Sequence, residues 1–74
     1  MAQKTIQTQN RRQYAICTIC HAHNVDREPQ WRVYEVDVTP RGAYYRGAML
    51  YAAHAEDDAL KWAKENCWNI FACI

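Results

Sequence analysis

The chain contains no serine, and its only glycines are Gly42 and Gly47. The first absence removes serine nucleophiles; the second leaves no glycine-rich loop to cradle a phosphate. An excess of one charge is also missing: nine basic residues stand against eight acidic, for a formal net charge of +1. Gripping nucleic acid through its phosphates calls for a clear basic surplus, and imitating DNA calls for a dense acidic face. The totals show neither, so nucleic acid is not the expected partner. No stretch approaches the ~20 apolar residues of a membrane span, so no membrane is expected either. Met1 to Arg12 lacks the apolar core of an export signal. The expected compartment is the cytoplasm, where Cys17, Cys20, Cys67 and Cys73 would be mostly reduced.

Against these absences stand three tryptophans and five tyrosines in a chain of 74 residues that is half hydrophobic. A domain of this size buries only about 60% of its unfolded-chain surface. Rings that bury roughly 150–250 Å² each let a short chain build a core all the same. The reading is one α+β domain over residues 13–74, preceded by a flexible polar tail, 1–12, whose Lys4, Ile6 and Thr8 could add a short edge strand.

From Gln13 to about Ala22 both side-chain parities are largely apolar, which predicts a strand covered on both faces. His23 to Gln30 is polar, holds Pro29 and reads as a loop. Trp31 to Thr39 is rich in Val and aromatics and predicts the clearest strand. Glu35 and Asp37 share one parity, expected to face water or a partner, and Tyr34, Val36 and Val38 share the other. Thr39-Pro40-Arg41-Gly42 predicts a type I turn followed by a glycine bulge, with a returning strand from Ala43 to about Ala53. The register is open: Val36 falls beside Arg46 or beside Tyr45, according to loop length. A long helix starting near Ala48 is the competing reading of the second arm. Ala55 to Asn66 predicts a helix. Its acids Glu56, Asp57 and Asp58 come first and Lys61 and Lys64 near the end, and Ala59, Trp62, Ala63 and Cys67 form an apolar stripe. Trp68 to Ile74 predicts a last strand. The expected architecture is a small antiparallel sheet, β-β-β-α-β, with one helix packed on one face. A single helix leaves the other face with aromatic and Val side chains to cover, a mark of a partner interface or of a homodimer.

Cys17-Thr18-Ile19-Cys20-His21 matches the C-x-x-C-H haem attachment pattern, but strand-like surroundings and the lack of an export signal argue against haem. Cys17, Cys20, His21 and His23 could instead ligate zinc. A zinc-stabilised or nucleic-acid-binding module is therefore the alternative reading. Cys17 and Cys20 in an uninterrupted strand point to opposite faces, however, so no metal and no cofactor is expected. A cysteine nucleophile would need an oriented base that strand neighbours seldom supply, and the acidic run is explained by a helix N-terminus. No catalytic residue is assigned, and the chain is not expected to be an enzyme. Six arginines, Arg11, Arg12, Arg27, Arg32, Arg41 and Arg46, outnumber the lysines, and Arg with Trp and Tyr is the mixture enriched at protein interfaces. The candidate binding residues are Trp31, Arg32, Arg41, Tyr44, Tyr45 and Arg46, which a hairpin would present together.

The hairpin from Trp31 to Ala53, the helix around Ala53-x-x-Glu56-Asp57-Asp58-Ala59-Leu60-Lys61-Trp62-Ala63-Lys64 and the short closing strand give an architecture that resembles small inhibitor proteins of phages and mobile elements, anti-CRISPR proteins among them. The resemblance covers about residues 13–74, is architectural, and carries no motif. It implies a non-catalytic inhibitor or adaptor that sterically occludes a host defence complex of the CRISPR-Cas type, in the host cytoplasm.

Overall fold

The structure is a computed structural model that describes residues 12–23 and 27–74. The tail expected over 1–12, with its edge strand through Lys4, Ile6 and Thr8, lies outside the described residues apart from Arg12, and so does 24–26 of the expected loop. The described elements run β1 (Tyr14–His21), β2 (Trp31–Val38), β3 (Tyr44–Ala53), α1 (Glu56–Asn66) and β4 (Cys67–Phe71). They form an α+β fold in the order β-β-β-α-β. The strands lie in the sheet as β3-β2-β1-β4. The sheet is mixed rather than wholly antiparallel: β2 pairs antiparallel with both β1 and β3, whereas β4 pairs parallel with β1. The cause is the helix. β3 already runs with β1, and a chain that leaves β3 through a crossing helix re-enters the sheet in the direction it left.

The helix starts one residue later than predicted, with Ala55 as an extended N-cap that offers no side-chain cap. Its acidic first turn complements the dipole instead. Ala59 and Ala63 are fully buried and Cys67 nearly so. With Cys17, Val33 and Ala53 of the sheet they form the core, so the predicted stripe faces the strands. Trp62 stacks on Tyr51 with ring centroids 5.1 Å apart and planes nearly parallel, and Tyr14 lies 6.2 Å from the same indole. Alanines at the contact let the backbones approach closely while the rings close the flank.

Both faces of β1 are covered, as its apolar parities require: Cys17 on the helix side and Thr18 on the other are each 0% exposed. At the hairpin, Gly42 N–H donates to the Thr39 carbonyl at 2.9 Å and Gly42 has φ 91°. The predicted turn and glycine position are therefore present. Val36 pairs with Arg46 and Val38 with Tyr44, which settles the register, and Ala48 lies in a strand rather than a helix. Farther along, the pairing shifts twice, between Val33 and Tyr34 and between Tyr34 and Val36. Ten residues of β3 thereby oppose eight of β2, the signature of bulges that bend and twist a strand. Gly47 sits at the second shift. A Cβ there would meet the Asp37 carboxylate at 2.5 Å and the Glu35 carbonyl at 3.3 Å.

β4 begins at Cys67 and ends at Phe71, so the last three residues leave the sheet. The acidic parity of β2 lies on the helix side, since Glu35 pairs with Cys17 and shares the parity of Val33. Glu35 and Asp37 are half-buried there rather than turned to open water.

Candidate functional site

The helix-free face is assembled from β1, β2 and β3 and then partly closed by the chain's own end. Thr18, Cys20 and Val36 are buried on it. Thr18 Oγ1 donates to the carbonyl of Ala72 at 2.7 Å, and Cys20 is disulfide-bonded to Cys73 with a Cα–Cα distance of 4.8 Å. Phe71 meets Tyr44 edge to face at 5.1 Å. Residues of the two edge strands therefore touch across this face. The expectation that the four cysteines are mostly reduced is corrected for this pair: the tail from Ala72 carries Cys73 back over β1, and a sulfur 53 positions away becomes the partner of Cys20. Cys17 and Cys67 remain free and buried. Burial, then the neighbouring Cys67 sulfur, pushes the Cys17 thiol up to about 12. Burial raises Cys67 as well. Neither is poised as a nucleophile, because the thiolate is the reactive form.

Arg46 lies at the centre of what remains open on this face. Its guanidinium carbon is 4.6 Å from the ring centroid of Tyr34, and Nη1 donates to Cys20 Sγ at 3.4 Å. Among the described residues it makes no ion pair; the one such bridge joins Arg32 to Glu28 at 3.8 Å. A cation over a tyrosine face gains from the ring quadrupole. Around it stand Tyr44, Met49 and Val38, exposed at 53%, 54% and 51%. Pairing puts Val38 beside Tyr44 and Tyr34 beside Met49 on this side of the sheet.

The six candidate residues do not form one patch. Arg32, Tyr44 and Arg46 share the helix-free parity. Arg32 is turned away from the others, its Nε donating to the Pro29 carbonyl at 3.3 Å. Tyr45 pairs with Asp37 on the helix side. Trp31 also faces that side, at the far end of β2, with its ring 4.4 Å from His21. Arg41 is exposed in the turn. Tyr34, Met49, Val38 and Phe71, which sequence reasoning passed over as binding residues, complete the surface. The parity of Tyr34, Val36 and Val38 was the available signal, but it does not say which face the helix takes.

The four residues of the zinc alternative are not brought together. Cys17 lies under the helix, Cys20 is bonded to Cys73 on the opposite face, and His21 and His23 contact each other at the end of β1. No group of three or more Cys, His, Asp or Glu is arranged to hold a metal among the described residues. No helix among them is long and apolar enough to cross a membrane. Against family models, curated proteins and solved structures the chain finds no match. What the fold and site define is thus a small α+β domain with an aromatic, arginine-centred open face.

Proposed function

We propose that the chain is a non-catalytic protein-binding inhibitor or adaptor that docks through its helix-free face and blocks its partner by occupying space. The observation that carries this reading is Arg46: an exposed residue with its guanidinium over Tyr34, without a carboxylate partner among the described residues, on the same side of the sheet as exposed Tyr44, Met49 and Val38. Arginine and tyrosine set among apolar side chains is the composition of binding hot spots, and a partner carboxylate entering there would form a charge-assisted hydrogen bond in a partly dry setting. The inhibitor architecture that the sequence resembles makes a CRISPR-Cas-type defence complex the proposed partner.

At the β3 edge, a face-on partner is favoured over strand addition. β3 is an edge, but its two register shifts interrupt the flat ladder that a second copy would need to extend the sheet. The test is plating of a targeted phage on CRISPR-immune cells that express the chain. Wild type should restore plating, and the double variant Arg46→Glu/Tyr44→Ala should not, with far-UV circular dichroism unchanged. A double variant as active as wild type would exclude this face. A wild type without effect would exclude the defence complex as the partner.

A further inference from the structure

At the end of β1 opposite the hairpin turn, His21 Nδ1 lies 3.1 Å from His23 Nδ1. His21 Nε2 is 3.2 Å from Gln30 Oε1. An amide oxygen only accepts, so the neutral tautomer of His21 that satisfies Gln30 carries its proton on Nε2 and leaves a lone pair on Nδ1. Two imidazole nitrogens facing each other at this distance need either a proton or a cation between them. Donors 3.1 Å apart, each about 2.0–2.1 Å from one zinc ion, subtend roughly 95–100° at it, within the range of angles a bound divalent ion accepts.

We propose that His21 Nδ1 and His23 Nδ1 form a two-histidine chelate for a late first-row divalent cation, with zinc as the type. Imidazole is a ligand suited to zinc, copper and nickel. A histidine that ligates through one nitrogen commonly donates its other N–H to an oxygen, which fixes the tautomer and the ring; Gln30 occupies that place. The ring also lies beside Trp31, with centroids 4.4 Å apart and planes tilted by 34°. His23 lies across it, with ring centroids 4.4 Å apart and planes at 89°. The remaining coordination positions would be filled by water. The site uses no thiol and is therefore separate from the four-residue zinc arrangement that the fold separates. Backbone pairing of Ala22 N–H with the Gln30 carbonyl at 2.7 Å anchors the strand to the segment that supplies the amide. A bound ion would clamp this end of the sheet.

The experiment titrates zinc alone into the full chain under calorimetry and follows the histidine ring nitrogens by ¹⁵N NMR. The expected result is one equivalent bound, with the Nδ1 resonances of His21 and His23 moving together and Nε2 of His21 remaining protonated. His21→Ala and His23→Ala should each abolish the saturable phase. Gln30→Ala should weaken it by about 10–100-fold, and His54→Ala should leave it unchanged. Zinc should raise the unfolding midpoint of wild type but not of His23→Ala. Zinc binding that survives either histidine substitution would overturn the proposal. So would an Nδ1–H on His23 that zinc leaves in place, which would mark a plain imidazole–imidazole hydrogen bond.

Discussion

Cys20 on β1 and Cys73 beyond β4 are covalently joined, and the bond straps the chain's end across the helix-free face. Because 53 positions separate the two, the bond restrains most of the described chain in the unfolded state. Loop-closure entropy for such a span corresponds to about 4 kcal/mol, and measured disulfides commonly deliver about 2–4. Cys73→Ala should lower the unfolding free energy by that amount in urea titrations. Dithiothreitol should bring wild type down to the level of the variant and leave the variant where it is. A wild type insensitive to the reductant would show that the strap contributes nothing.

The two free thiols should be silent in the native state. Cys17 is fully buried and Cys67 is 3% exposed. An alkylating reagent at pH 8 should label neither until the chain unfolds, then two sites, and four after reduction. Linkage adds a pH dependence. Cys17 is raised from 9.0 to about 12, so between those values the unfolded chain gives up a proton that the folded chain keeps. The contribution is complete below pH 9 and is lost as pH rises toward 12. Cys17→Ala should flatten the alkaline limb of the stability profile, and an unchanged limb would refute the assignment.

Gly47 and Asp37 should be coupled. An alanine at Gly47 gains strand propensity of about 0.5–1 kcal/mol, but its Cβ would run into the Asp37 carboxylate and press on the Glu35 carbonyl. Gly47→Ala alone should therefore destabilise or gain nothing. Combined with Asp37→Ala, it should be at least about 0.5 kcal/mol better than the two single effects summed. Strict additivity in a double-mutant cycle would remove the contact from the account.

Ala63 tests the fit between helix and sheet. It is 0% exposed in the cluster with Cys17 and Val33. Enlarging it to Leu should cost about 1–3 kcal/mol through overpacking, whereas Lys61→Leu on the outer side of the helix should stay within about 0.5 kcal/mol. Equal effects at the two positions would mean that the helix packs differently.

What was legible from sequence follows the range over which each signal acts. Pro40 and Gly42 specify a turn through their own dihedral preferences, and Ala59, Trp62 and Ala63 specify a helix face through spacing alone. The three-residue separation of Cys17 and Cys20 was enough to put them on opposite sides of a strand. Each of these is a property of a few neighbouring residues. The union of Cys20 with Cys73, the choice of β1 as the neighbour of β4 and the reach of Arg46 to Tyr34 join positions distant in the chain, and nothing local encodes them.

The amino-acid order thus settled the turn, the helix over Ala55 to Asn66 and which side chains share a parity, because backbone preferences and periodicity act over one or two turns of chain; it left the second hairpin arm open between strand and helix. Packing settled which parity meets the helix. Once Ala59 and Ala63 had docked on Cys17 and Val33, Tyr34, Val38 and Arg46 were left on the open side and Glu35 and Asp37 beneath. A strand has two faces of comparable hydrophobicity here, and only the free energy of the whole assembly discriminates between them.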